Sequence, residues 1–335
     1  MLRPKKKSKT TAKEANKLLY YPNFSLVSKS FRSLVASPDL YKTRSLLNRT
    51  ESCLYVYLDF LCEPSSRWFT LVPKPNRTLA KITEKKESSS GYVLVPIPVH
   101  HSLNGSQSLV AVGSTIYAIG GFIEYTPSSS VSFLNCQFHT WHEAPSMRMK
   151  RHLPAVNVVN GKIYVAGGLE LEDLDSSNWM EVFDPKTQTW ESVLTPPAHL
   201  NLYMLRSAVI EGEIYMFGEK GVSYKPEEAR WKSVEKMFLG GISHCVIDNI
   251  LYCYRRGGGI KWFDLEKRFW TNLRGLKGLP KFVGHMMEYG GKLAVFWDKR
   301  KTIWCAVVWG KVEWLDVVLT VPRNYLFVDA LTATI

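Results

Sequence analysis

The chain has 335 residues, 45% of them apolar, and 43 Lys and Arg against 30 Asp and Glu, for a formal charge of +13. That composition suffices for a sizeable core, and no stretch reaches the roughly 18 uninterrupted apolar residues of a membrane-spanning helix. The charge is uneven: residues 1–50 hold twelve basic and two acidic side chains, whereas the remaining 285 hold 31 and 28. A nearly neutral body with a basic head is no general nucleic-acid binder, so neither nucleic acid nor a membrane is expected as a partner.

The head, residues 1–17, carries seven basic side chains and almost no apolar ones. It cannot offset the entropy of ordering and is expected to be disordered. The run Lys5-Lys6-Lys7-Ser8-Lys9 is read first as a solvated charge run and only second as a nuclear-import signal. The N-terminus lacks the apolar core of a secretory signal, so the expected location is cytoplasmic, nuclear or both. The six cysteines form no C-x-x-C pair and are expected to be reduced, small buried hydrophobes.

Residues 18–50 differ in kind. Leu26, Val27, Phe31, Leu34 and Val35 recur at spacings of three and four, the period of one helical face. Ser37 then stands as an N-cap before Pro38 and Asp39, predicting a second helix over roughly 38–47. The segment from Phe24 to Leu47 resembles the second half of the F-box of plant F-box/kelch proteins. That resemblance implies recruitment of the Skp-type adaptor of a cullin–RING ubiquitin ligase, with Leu26, Val27, Phe31 and Leu34 on the adaptor-binding half. The family's first F-box helix opens with a Leu-Pro pair and an amphipathic run. Between Arg3 and Lys17 the only nonpolar side chains are Pro4, Ala12 and Ala15. The expectation is a truncated F-box.

From about residue 51 short strands follow one another. Residues 54–60 and 67–72 form a first hairpin, and 73–91 read as a long polar loop. Residues 92–98 carry Pro96 and Pro98, which suits an edge strand. An apolar residue then stands seven positions before a Trp, as Leu61/Trp68, Leu134/Trp141, Phe183/Trp190, Tyr224/Trp231, Phe263/Trp270 and Val307/Trp314. A polar turn followed by a short apolar strand precedes five of these copies. From Trp141 to Trp314 the tryptophans are 39 to 49 positions apart, a period that predicts four-stranded propeller blades rather than a helical solenoid. The double glycines Gly120-Gly121 and Gly167-Gly168 follow apolar runs, and together with Trp141, Trp190, Trp231, Trp270 and Trp314 they resemble the kelch repeat. Physically they are structural: Gly admits close backbone approach and Trp buries a large area between blades.

The expected fold is all-β, a six-bladed kelch-type β-propeller over 51–335 preceded by a short helical F-box remnant. The blades fall at about 51–98 with 322–335, then 107–145, 152–195, 203–236, 241–275 and 282–321. The C-terminal tail, strand-rich and without a blade of its own, is expected to close the ring on the first blade, removing two open sheet edges.

The search for chemistry returns no constellation. His139 and His142 flank Trp141 at a turn on alternate faces, whereas a zinc site wants three or four convergent ligands. The acidic stretch 170–175 reads as an exposed loop and lacks the His at four-residue spacing that kelch-type specifier proteins carry. No G-x-S-x-G, P-loop or H-E-x-x-H occurs. No catalytic residue, metal or cofactor is therefore assigned. The resemblance implies a non-enzymatic substrate-recognition subunit whose propeller binds a target protein. The alternatives are a kelch scaffold without adaptor binding and, behind it, a metal-dependent propeller enzyme.

Overall fold

A computed structural model of the chain describes residues 28–35, 37–47, 49–60, 66–74, 91–97, 107–169, 178–193, 206–217, 221–234, 243–255, 259–264, 269–280, 283–322 and 325–335. The basic head, Leu26 and Val27, most of the 73–91 loop and the acidic stretch 170–175 lie outside the described residues, as does the Phe31 side chain. Among the described residues no helix is long and apolar enough to cross a membrane. The chain divides into two compact units, residues 1–51 with Ile335, and 52–334.

In the first unit helix α1 spans Lys29–Val35 and α2 spans Pro38–Leu46. Ser37 starts α2 as the sequence predicts: its side chain accepts from the Asp39 amide at 3.2 Å, and Pro38 opens the first turn, where a missing N–H costs nothing. Arg44 of α2 pairs with Glu51 at 2.9 Å, both largely buried.

The second unit is six four-stranded antiparallel sheets, a six-bladed β-propeller. Blade 1 runs from its innermost strand Tyr325–Thr334 through Ser52–Phe60 and Arg67–Pro73 to the outer Tyr92–Pro96. The other five are consecutive. Blade 2 comprises Ser108–Val112, Thr115–Ile119, Val131–Asn135 and Thr140–Ala144, and blade 3 Ala155–Val159, Lys162–Ala166, Met180–Asp184 and Thr189–Val193. Blade 4 comprises Arg206–Ile210, Glu213–Phe217, Gly221–Lys225 and Arg230–Val234. Blade 5 comprises Ser243–Ile247, Ile250–Arg255, Gly259–Asp264 and Phe269–Asn272, and blade 6 His285–Tyr289, Lys292–Lys299, Thr302–Trp309 and Lys311–Thr320.

The innermost strands neighbour one another in a closed cycle. A hydrogen bond spans each of its six junctions. Going round from blade 1, these are Thr334 N to Gly113 O (2.8 Å), Ser108 Oγ to Pro154 O (2.7 Å) and Asn157 Nδ2 to Ser207 Oγ (2.8 Å). The circuit continues with His244 Nε2 to Ser207 O (2.8 Å), Met286 N to Ser243 Oγ (2.9 Å) and Thr332 Oγ1 to Glu288 O (2.6 Å). Tyr325–Thr334 pairs along the whole of Ser52–Phe60, so the ring is closed by main-chain hydrogen bonds between the two ends of the propeller sequence.

The apolar core lies between blades. In Ser52–Phe60, Leu54, Val56, Leu58 and Phe60 face blade 6 in one cluster, while Tyr55 reaches the Cys136 carbonyl of blade 2. Both faces are buried, which is why this strand reads as one apolar run. One sequence expectation is corrected here. The residue opposite Trp68 is Tyr57, not Leu61, and Trp68 sits on the third strand of its blade, whereas the other five repeat tryptophans sit on the fourth. The C-terminal strand takes the first place in blade 1, so every N-terminal strand moves out by one, and Tyr92 rather than a Trp occupies the outer strand.

All innermost strands start at the same end of the ring, here called the upper end. The second and fourth strands of each blade end there, and the tight first-to-second turns of blades 2 to 6 lie at the lower end. Several lower turns need two left-handed residues, supplied by Asn160-Gly161, Glu211-Gly212, Asp248-Asn249 and Gly290-Gly291. At the upper end the same conformation is taken by Glu124-Tyr125 and by Arg300-Lys301 (φ 49° and 65°).

Candidate interaction site

The residues of the repeat signature are placed at blade junctions. A Cβ on Gly120 would overlap the Arg151 carbonyl, and one on Gly168 would stand 2.6 Å from the His152 carbonyl; both have φ near 70°. The double glycines thus let the strand that crosses from blade 2 to blade 3 lie against both blades, and Gly121 N donates to Arg151 O at 2.9 Å. Gly167 adds its carbonyl, which accepts from Arg151 Nη1 at 2.6 Å.

Trp190 is 8% exposed, stacks on Phe183 at 4.9 Å and donates its indole N–H to Pro145 O of blade 2 at 2.7 Å. Trp141 meets Trp68 of blade 1 (5.9 Å), and Trp231 meets Trp179 of blade 3 (6.0 Å). Trp270 packs with Phe263 among residues of blades 4 and 5. Trp314 faces the other way, stacked on Tyr92 of blade 1 at 4.8 Å.

Sequence reasoning missed the strongest polar feature. Arg151 and Glu181 are both fully buried and paired at 2.9 Å. Arg151 also donates to the carbonyls of Gly167, Trp179 and Asn178, and Glu181 accepts the Arg148 and Met149 amides at 2.8 and 3.2 Å. Burial pulls the guanidinium below its ordinary value, and Glu181 opposes the shift. The available signal was a Glu inside the apolar run Trp179–Phe183, a position that demands a partner.

Chemistry at a propeller centres on its channel. Here the innermost strands enclose a cavity of about 630 Å3. Its walls include Arg206, Ser243, His244 and His285 on blades 4 to 6, Asp329 on blade 1 and the apolar Leu109 and Met287. His244 holds its proton on Nε2, which donates to Ser207 O, and burial lowers its pKa. Burial likewise lowers His285 to about 4; its ring stacks on Phe327 at 4.2 Å. Burial raises the Asp329 carboxyl to about 6, against the bond from the Ala330 amide at 2.7 Å. Both imidazoles are therefore neutral near pH 7.

Among the described residues no three His, Cys, Asp or Glu side chains form a group able to hold a metal. His139 sits in a left-handed turn beside the Tyr55 hydroxyl (3.2 Å), and His142 is exposed, stacked on Phe133. In the helical segment, Leu34 is 52% exposed, so the one described side chain of the expected adaptor-binding set presents apolar surface to solvent.

Residues 68–319 match the family described as FKB95, Kelch-repeats domain, and residues 17–43 match the F-box domain. The chain is 55% identical over 353 residues to one F-box/kelch-repeat protein of Arabidopsis thaliana, covering 95% of this chain and 90% of that one. It is 60% identical over 343 residues to a second from the same plant, with the same coverage, and 48% identical to a third, covering 95% and 89%. With an F-box match ahead of a six-bladed kelch propeller, and relatives of that description along nearly its whole length, the chain belongs to the F-box/kelch-repeat family.

Proposed function

We propose that this chain is a non-catalytic substrate-recognition subunit of an SCF-type ubiquitin ligase, with the propeller holding the target protein and residues 18–50 addressing a Skp-type adaptor. The observation that carries the reading is the union of an F-box match at 17–43 with the kelch propeller on one chain. Leu26, Val27, Phe31 and Leu34 are the proposed adaptor contacts, and the exposure of Leu34 supports this.

The adaptor contact is proposed to be weak, because residues 3–17 offer no apolar helix face to complete the F-box. At about 25 cal/mol per Å2, a few hundred Å2 of missing burial is worth several kcal/mol, and each ~1.4 kcal/mol is tenfold in affinity. The same polarity favours the second reading, a kelch scaffold without adaptor binding. Titration of a Skp-type adaptor against this chain, and against a chimera with a Leu-Pro-led amphipathic helix in place of residues 1–19, separates them. The chimera is expected to bind at least about tenfold tighter. Equal, tight affinities would make the chain an ordinary receptor, and no binding by either would support the scaffold.

A further inference from the structure

The two ends of the propeller handle positive charge differently. At the lower end three cations are neutralised, Lys162 by Asp184 (3.3 Å), Lys232 by Glu213 (3.8 Å) and Lys292 by Glu313 (2.6 Å), while Lys186 and Lys311 stand apart on separate blades. At the upper end of blades 5 and 6 the topology brings together Arg255, Arg274, Lys277, Lys299, Arg300 and Lys301, all exposed. Among the described residues none of the six is in an ion pair, and Asp298 is the one acidic side chain in those segments.

Two further observations give this rim a direction. Arg300 and Lys301 occupy a two-residue turn with both residues left-handed, a place where Asn-Gly is favoured and long side chains cost backbone energy. The turn therefore carries two cations against its local backbone preference. The channel cavity is lined at the same end by Arg206, Ser243 and His285, the first residues of their innermost strands, so a cation, a hydroxyl and a neutral imidazole stand where the basic rim meets the channel.

We infer that the upper rim of blades 5 and 6 is the docking surface for an acidic segment of the target protein, with Arg206 at the channel mouth receiving one of its carboxylates. This assignment rests on the substrate-recognition reading above and names the chemistry of the target. A single-stranded nucleic acid is the lesser match to the same charge. It calls for exposed aromatic rings interleaved with the cations, and among the described residues the exposed aromatics of blades 5 and 6, Phe269 and Trp309, stand at the lower ends of their strands, away from this rim.

The test uses the full chain alone and fluorescence anisotropy at low and physiological salt. The probes are a labelled peptide of alternating Glu and Gly, its Gln–Gly counterpart, and an oligothymidylate of equal charge. The variant Arg300→Asn/Lys301→Gly removes two charges and suits the turn. Its control, Lys186→Ser/Lys311→Ser, removes two exposed charges from the lower end. The Glu–Gly peptide is expected to bind, the Gln–Gly peptide not, and the upper variant to weaken binding about fivefold while the control leaves it unchanged. Higher salt should weaken the contact. Thermal melts confirm that both variants are folded. Absence of peptide binding, equal weakening by both variants, or tighter binding of the oligothymidylate would each overturn the proposal. No adaptor is present, so failure here is distinct from failure of adaptor recruitment, which its own titration judges.

Discussion

The junction between blades 2 and 3 and the junction between blades 6 and 1 do the same job with different chemistry. The first is polar at its upper end: a buried Arg151–Glu181 pair satisfies backbone groups on three segments, and glycines admit the crossing strand. The second is apolar, built on a cluster of Leu54, Val56, Leu58 and Phe60 against Phe296, Ile303, Cys305 and Val307, with a Tyr92–Trp314 stack at the outer edge. Blade 6 has no double glycine after its second strand and no such ion pair; instead its strands, apart from the five-residue innermost one, and the closing strand are eight to ten residues long. Longer strands bury more area per blade, and that burial replaces the specificity of the polar clamp. In blade 6 the lost signature thus coincides with lengthened strands.

Three perturbations sharpen this contrast. The largest effect is expected from deleting residues 325–335. This removes the innermost strand of blade 1 and exposes Leu54 to Phe60, so the product should be insoluble or lack a cooperative melt. A deletion that melts like the full chain would show that the apolar junction does not depend on closure.

Next comes Glu181→Ala, expected to cost about 3–5 kcal/mol because Arg151 keeps its charge in a buried site. Chemical denaturation measures it. The double variant Arg151→Met/Glu181→Leu should recover only part, since the carbonyls of Gly167, Asn178 and Trp179 and the amides of Arg148 and Met149 lose partners. Full recovery would reduce the clamp to a plain ion pair.

The smallest effect belongs to the closing strand, where it forms part of the channel wall. Asp329 has its carboxyl raised from 3.8 to about 6 by burial. A raised folded-state value means that its contribution is fully present below about pH 4 and lost as pH rises towards 6. Asp329→Asn stays neutral throughout, so it should match the parent at low pH and exceed it above pH 6, by up to about 3 kcal/mol. His285, lowered to about 4, acts in the opposite sense over the same range: its contribution holds above its ordinary 6.5 and is lost as pH falls towards 4. Melts of parent and variant across pH isolate the Asp329 part, because His285 is common to both. Equal stability at neutral pH would place the carboxylate in contact with water.

Local signals were legible because they are local in cause. The Ser37-Pro38 cap, the tight turns and the hairpin spacing of Phe183 and Trp190 depend on residues a few positions apart. The count of six survived even though one of the copies behind it, Leu61/Trp68, belongs to a different strand pair. The period of the other five and the unpartnered tail were enough. The buried Arg151–Glu181 clamp was not legible, since its partners are 30 residues apart and burial alone makes them matter.

By itself, then, the sequence determined the strand-turn-strand period, the propeller class, the helical segment after the basic head, and the uneven charge along the chain. Those follow from composition and from periodicity over short windows. Only the tertiary structure decided which cations share an end of the ring, which histidines and carboxylate line one cavity, and which junctions are polar. These depend on residues from different blades meeting in space, and no spacing along the chain encodes that meeting.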